Sequence, residues 1–509
     1  MSKRSLILVT VDCLRADHVG YCGYSRPVTP FLDSLAKTSL VFSEAIVAGA
    51  PTYFSFPAIL ASRYPLGLGR EILGIAPGEP TLASVLRDCG YQTAAFVAGN
   101  PYLTERFGYD QGFEQYQDFL QSESHAAPSN APQNGSRPWS NVNRQMERLS
   151  RKTKVTASAY DELYFRYCQW RSRRGISSMD QLRRYPSADV LVGEAISWIQ
   201  SLQDRPFFLW IHLMDPHHPY YPPQEALSSL GFSNISTQRA LFLNSFWNRG
   251  DIGASRLERY REEIITLYDA GVRWVDQQMS RLVEALQKQQ RWNDTVLAVT
   301  ADHGEEFLEH GSRYHSPVGL PEQLIRVPLL VRTPSVASER IVRGPFSLIH
   351  LAPMLLEALA VEVPASFQGE RCWSRFAQGG ESKGNPAIVE CVEACNNPWS
   401  VADRLRPRLL AVRDRDYKLV IRFNDQVGEL YALKADPLEQ HPLPNNVGKE
   451  ERARLWRFAD QYLRDVRKRR DPALALRARL REIRRQLSLE RTQTTPGAQP
   501  KPFEIEGHG

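Results

Sequence analysis

No stretch of the chain reaches the ~18 consecutive apolar residues of a membrane-spanning helix, so nothing in it predicts a membrane span. Cysteine is scarce and odd in number, seven at positions 13, 22, 89, 168, 372, 391 and 395. In so large a chain that implies no disulfide framework. Cys391 and Cys395 lie four apart, but no neighbouring Cys or His pair completes a zinc site with them. Charge of one sign is also scarce: 63 basic residues face 57 acidic ones, a net charge of +6, which does not suit a nucleic-acid binder. There is no internal repeat. The N-terminal apolar run in "MSKRSLILVTVDC" is too short for the core of a signal peptide, and Asp12 interrupts it. The expectation is a protein made and kept in the cytoplasm, with reduced thiols.

At 509 residues the chain exceeds what one core organises, which predicts two domains plus insertions. "SLILVTVD" reads as a strand buried on both faces. "TPFLDSLAKTS" reads as a helix, "LVFSEAIV" as a strand, "TLASVLRDCG" then "YQTAAFVAG" as helix, glycine stop and strand. The alternation returns with "ADVLVGEAISWIQSL", "RPFFLWIHL", a long helical pattern over about 255–289, "DTVLAVTADHG" and "RVPLLVR". This predicts an α/β domain with a mostly parallel central sheet flanked by helices, over 1–364, interrupted at about 118–185 by a polar and helical insertion. After about 365 short alternating segments ("PAIVECV", "RLLAVRD", "YKLVIRF", "GELYALK") predict a small antiparallel sheet, and "KEERARLWRFADQYLRDVRKRR" a helix on it. That gives a smaller C-terminal α+β subdomain over 365–470. The remainder, 471–509, is a basic helix followed by a disordered tail. Leu476, Leu480, Ile483 and Leu487 form an apolar stripe among arginines. It reads as a surface or homo-oligomer contact, or as a weak contact with an anionic membrane surface through about 474–490.

Chemistry in open α/β sheets gathers outside the carboxyl ends of the strands. There the sequence delivers Asp12, then Asp302 and His303, then Asp215, His217 and His218. Thr52 follows a strand at a helix start. Each has a plain structural reading: Asp12 as a strand-end cap, Thr52 as a helix N-cap, His217 as a turn residue. Together Asp12, Asp302, His303 and the Thr52 hydroxyl form an O,O,N,O set suited to Mn²⁺, Ca²⁺, Mg²⁺ or Zn²⁺. A helix N-terminus adds partial positive charge for an alkoxide and an incoming anion.

"LILVTVDCLRADHVGYCGY", "TYFSFPAILASRYP", "GYQTAAFVAGNPYL", "FFLWIHLMDPHHPYYPP", "VTADHGEEFLEHG" and "IRVPLLVR", with "DYKLVIR" and "ELYALKADPLEQHPL" behind them, resemble in order the sulfatase family of the alkaline phosphatase superfamily. The resemblance implies an alkaline-phosphatase-like fold, one divalent metal ion held by Asp12, Asp302 and His303, and a nucleophile at Thr52. It implies that His217 contacts the ester oxygens or protonates the leaving group. His315 falls where single-metal members have Lys or His, His310 is its nearby competitor, and Asn100 lies at the substrate.

The departures are specific. Sulfatases of this family make formylglycine from Cys or Ser within Cys/Ser-x-Pro-x-Arg. Here the frame reads Thr52-Tyr53-Phe54-Ser55-Phe56, with neither Pro nor Arg. The second Asp of the family's usual pair is Cys13. The expected activity is hydrolysis of a sulfate ester, phosphodiester or phosphonate ester of a small molecule, glycan or lipid through an unmodified Thr52. Ser55 is the rival hydroxyl. A phospho-alcohol transferase acting on a glycan or lipid acceptor, and a family member without catalysis, are the alternatives.

Overall fold

The computed structural model describes residues 3–70, 72–120, 162–163, 165–167, 176–425 and 427–493. Most of the insertion expected at about 118–185, and the tail expected beyond the last helix, lie outside the described residues. The main sheet and its lesser companions are built from β1 (Ser5–Val11), β2 (Leu40–Ile46), β3 (Gln92–Val97), β4 (Gln115–Gln117), β5 (Phe207–Leu213), β6 (Thr295–Ala301), β7 (Glu306–Phe307), β8 (Arg313–Tyr314), β9 (Arg326–Val327), β10 (Leu329–Arg332), β11 (Arg340–Ser347), β12 (Ala387–Val392), β13 (Arg408–Arg413), β14 (Tyr417–Arg422) and β15 (Val427–Ala432). The helices used below are α1 (Pro30–Ala36), α2 (Thr52–Ala61), α3 (Leu82–Asp88), α4 (Ala188–Ser201), α5 (Arg261–Lys288), α6 (Lys449–Arg469) and α7 (Pro472–Gln493).

The nine-stranded sheet runs β11-β2-β10-β6-β1-β5-β3-β4, with β9 paired to β2. β1 sits between β5 and β6 and is parallel to both. All seven residues of β1, of β5 and of β6 are buried. Continuous apolar runs are what a strand covered on both faces requires, and each buried Leu, Ile or Val contributes ~1.5–3 kcal/mol. The helices dock through apolar stripes, Leu191, Val192, Ala195 and Ile199 on α4 and Ile264, Leu267, Val275 and Leu282 among others on α5. A capping box between Thr81 and Ser84 starts α3.

The expected strand "RVPLLVR" is divided. Pro328 has no N–H to give a ladder, so the segment splits into β9 and β10. β10 lies antiparallel between β2 and β6. The edge strand β11, parallel to β2, went unread because Gly344 and Pro345 break its alternation.

The C-terminal sheet is antiparallel in the order β12-β13-β14-β15. Helix α6 seats Leu455, Ala459 and Tyr462 on its Leu410, Val412, Leu419 and Ile421. Glu390 on β12 is fully buried and ties this sheet to the main domain: its carboxylate accepts from the Leu66 N–H (2.9 Å) and its own N–H donates to Ala48 O (3.0 Å). Helix α7 docks a face different from the expected stripe. Leu474, Ala475 and Ala478 pack on Leu68, Ile72 and Ala76. Leu476, Leu480 and Ile483 point outward, 44–58% exposed, and the side chain of Leu487 lies outside the described residues. No described helix is long and apolar enough to cross a membrane.

Candidate active site

Parallel register brings the strand ends to one level. Val11 pairs with Leu213 on one side and Ala301 on the other, so Asp12, Met214 and Asp302 leave three adjacent strands side by side. Directly after Asp12 the backbone turns through Cys13, which has φ 61°, in the left-handed region that an L residue occupies at a cost. The turn is pinned from α5. Tyr268 Oη donates to Cys13 O (2.7 Å) and accepts from the Arg15 N–H (2.9 Å).

Asp12, Asp302 and His303 are fully buried. His303 Nδ1 lies 2.8 Å from the Gly304 carbonyl. A carbonyl only accepts, so the proton is on Nδ1 and the Nε2 lone pair faces inward. Gly304 allows this close fit: a Cβ there would stand 1.8 Å from Gln323 O. His303 Nε2 is 3.0 Å from Thr52 Oγ1, 3.6 Å from Asp12 Oδ1 and 3.6 Å from Asp302 Oδ2. Asp302 Oδ2 has no hydrogen-bond partner. A buried carboxylate oxygen without a donor is costly unless something positive meets it. The four inward donors fit a divalent ion, which would be held by Asp12, Asp302, His303 and Thr52.

The electrostatics follow from burial and crowding. Burial alone would raise Asp12, but the neighbouring His217, then His212 and His303, hold its carboxyl well below the ordinary value. Burial and the charge of Asp12 push Asp302 up. Burial, then Glu305, Asp12 and Asp302, push the Cys13 thiol well above its usual range.

Thr52 is the first residue of α2, and the N-cap is Pro51, which makes no side-chain cap. The N-cap reading of Thr52 is therefore wrong: its hydroxyl binds no helix amide and turns instead to His303. Helix α2 is buried along its whole length, as an apolar helix inside a large core is. Ser55 is on the next part of the same helix, fully buried, and its Oγ has no partner.

Thr52, Asn100, Tyr102, Tyr185, His217, Arg313 and His315 are among the residues that line a pocket of about 350 Å³ above this group. Arg313 is the one permanently charged residue in that lining, and its Nη1 is already shared with the carbonyls of Trp247 and Arg249. Asn100 Nδ2 donates to Asp12 Oδ2 (3.1 Å) while its Oδ1 accepts from the Tyr102 N–H (3.0 Å), so it orients the aspartate. His217 and His315 meet at the pocket wall with tilted rings, centroids 5.0 Å apart, and His315 is 4.7 Å from His303. Burial lowers His217. For His315 burial is outweighed by Glu305, whose Oε1 is 3.3 Å from Nδ1, and its value rises.

His310 does not join the pocket. Its Nδ1 meets Glu306 Oε1 (2.9 Å) and its Nε2 meets Leu438 O (2.8 Å), fastening the loop to the C-terminal part. Asp215 turns away to accept from the Ala188 N–H (3.0 Å) at the start of α4, and His218 packs on Tyr314 with ring centroids 4.3 Å apart.

Two participants were missed in the sequence. His212, fully buried in β5, has Nε2 3.3 Å from Asp12 Oδ2. Trp210 Nε1 donates to Thr10 Oγ1 (3.0 Å), whose own hydroxyl is 3.0 Å from His212 Nδ1. The Thr10 hydroxyl is also 3.4 Å from the Ile211 carbonyl, and the Nε2 side of the His212 ring faces the aspartate. A lone histidine in "FFLWIHL" was the available signal. Glu305 is the other: it is fully buried and lies behind His315.

Two aspartates and a histidine thus lie at adjacent parallel strand ends, with a hydroxyl at a helix start, in a mostly parallel sheet flanked by helices. The chain belongs to the sulfatase family: the Sulfatase family profile matches residues 4–361, and that of the N-sulphoglucosamine sulphohydrolase C-terminal region matches 314–468. It is 23% identical over 488 residues to the uncharacterized sulfatase YidJ of Escherichia coli, covering 90% of this chain and 85% of that one. It is 27% identical over 225 residues to an N-acetylglucosamine-6-O-sulfatase of Bacteroides thetaiotaomicron, a match spanning 44% of this chain and 39% of that enzyme's length. The fold superposes on the phosphonate monoester hydrolase of Agrobacterium radiobacter with a TM-score of 0.61 at 20% identity, covering 92% of this chain and 96% of that one.

Proposed function

We propose that the chain is a metal-dependent hydrolase of singly charged phosphodiesters or phosphonate monoesters that uses the unmodified hydroxyl of Thr52 as nucleophile. The observation carrying this is the Thr52 Oγ1 position, 3.0 Å from His303 Nε2 at the pocket floor. Bound at Asp12, Asp302, His303 and Thr52, a divalent ion supplies the positive charge that lowers the pKa of the hydroxyl. Thr52 Oγ1 gives up its proton as its bond to phosphorus forms, the bond from phosphorus to the ester oxygen breaks, and the departing alkoxide takes up a proton to leave as the alcohol, so that no proton is gained or lost overall. Water then cleaves the Thr52 ester, restoring the hydroxyl. Asn100 and His212 fix Asp12, and His217 and His315 face the departing oxygen. A lining with a single permanent cation suits a monoanion better than a dianion, and Tyr53, Tyr102, Tyr185 and Tyr314 suit an alcohol with a ring or apolar body. Phosphorus is favoured over sulfur because an ordinary Thr sulfate lacks the release route that a formylglycine hydrate provides.

The test is a quench of the protein with Mn²⁺ and an aryl phosphodiester, aryl phosphonate monoester or aryl sulfate, followed by intact mass and peptide mapping. A phosphoryl adduct on the Thr52 peptide, absent from Thr52→Ala, is expected. An adduct on Ser55, or full turnover by Thr52→Ala, overturns the assignment. An adduct from the aryl sulfate alone reverses the substrate preference.

A further inference from the structure

We infer that the outward face of α7 docks on an anionic membrane surface, with the helix lying in the lipid–water boundary. The helix is fastened to the domain by its other face. Leu474, Ala475 and Ala478 pack on Leu68, Ile72 and Ala76. Arg481 Nη1 donates to the Ile75 carbonyl (2.8 Å). Asp471 Oδ1 accepts from the Ala473 and Leu474 N–H groups (2.8 and 3.2 Å) at the helix start. With that face occupied, Leu476, Leu480 and Ile483 stand 58%, 44% and 50% exposed. At ~100° of turn per residue they fall within a stripe roughly 60° wide, opposite the docked face. Arg477 and Arg484 follow on one side of the stripe and Arg479 on the other, each roughly 70–90° from its midline. All three are exposed.

Charge selects the partner. Residues 467–485 hold nine basic residues and two acidic ones, a net charge of +7. The chain as a whole carries +6, so everything outside this segment sums to −1 and the segment holds the entire positive excess. An apolar stripe edged on both sides by arginines matches the lipid–water boundary. Its apolar side chains enter the acyl layer while the long arginine stems keep their guanidinium groups at the phosphates. A second copy of the chain fits less well. Symmetric pairing of this face would set one basic segment against another, and three side chains do not supply the ~1,000 Å² of a stable protein interface. A nucleic acid would engage the arginines and leave the apolar stripe in water. This reading is independent of the chemistry at Thr52.

The experiment is flotation of the full chain with vesicles of phosphatidylcholine plus phosphatidylserine, and with vesicles of phosphatidylcholine alone. The wild type should float with the first and stay behind with the second. Molar salt, which shortens the screening length to ~3 Å, should largely release it. Each arginine near an anionic surface contributes about fivefold in partitioning, so Arg477→Gln, Arg479→Gln and Arg484→Gln together should weaken binding about 100-fold. Leu480→Ser with Ile483→Ser should weaken it by more than ~10-fold. All five side chains are exposed, so both variants should melt at the wild-type midpoint. No flotation of the wild type with the phosphatidylserine vesicles overturns the proposal. Flotation that the serine pair leaves unchanged shows adhesion by charge without seating of the helix, and also overturns it. Self-association in sedimentation velocity without vesicles, lost in the serine pair, assigns the face to a second copy instead. Binding to duplex DNA tighter than to the vesicles assigns the arginines to nucleic acid, and either result overturns the membrane reading.

Discussion

Asp302→Asn should separate the protein's metal-free stability from its metal-bound stability. Asp302 is fully buried, Oδ2 has no donor, and Asp12 faces it. Its Oδ1 accepts from the His303 N–H at 3.0 Å, a bond an Asn carbonyl keeps. Without metal, the substitution removes an unpartnered buried charge, so the variant should be as stable as the wild type or up to about 2 kcal/mol more so. A ligand at a hundred times its dissociation constant stabilises by ~2.7 kcal/mol. At ~2.1 cal/mol/K per residue, a chain of 509 residues unfolding as one unit converts that to a rise of roughly 2–3 °C. Calorimetry with and without Mn²⁺, an oxygen-preferring ion, reads both quantities. The wild type should gain those degrees and Asp302→Asn should gain none, starting from an equal or higher metal-free midpoint. A variant that keeps the wild-type Mn²⁺ shift, or that melts well below the wild type without metal, refutes the assignment of Asp302 as a ligand under electrostatic strain.

Thr52→Ala should lower turnover to near background while costing less than about 1.5 kcal/mol in denaturant unfolding, because the hydroxyl makes one side-chain bond and caps nothing. Thr52→Ser should keep substantial activity. Ser55→Ala should leave turnover unchanged and be neutral or stabilising, since it removes an orphaned buried hydroxyl; a loss of rate would show that Ser55 takes part. His212→Phe keeps the ring volume but loses the contact with Asp12, and metal affinity by isothermal titration should fall 10–100-fold. Burial holds His350 at about 4, and its Nδ1 accepts from the Glu370 N–H. The folded state therefore binds fewer protons than the unfolded one, and stability falls as pH drops from about 6.5 toward 4. One proton contributes at most ~1.4 kcal/mol per pH unit, and urea midpoints of His350→Asn should lose that slope.

The sheet's central strands, their flanking helices and the small C-terminal sheet were legible because apolar runs and periodicities are local properties of the chain. Thr52, Asp302 and His303 were legible because strand ends announce themselves in sequence. What the sequence could not say is which way a side chain turns. Thr52 looked equally like a cap until the helix began at Thr52 itself with Pro51 before it. His310 and His315, five residues apart, separated into a fastener and a pocket wall. His212 was hidden because a strand alternation shows that a residue is buried and nothing about its partner on the next strand. Cys13 appeared only as a missing aspartate, and the His315 ring that its sulfur meets comes from a segment some 300 residues away. Sequence by itself determined the elements and the chemistry available at their ends. The parallel register of β1 with β5 and β6, a long-range fact that no local pattern encodes, decided which of those groups meet.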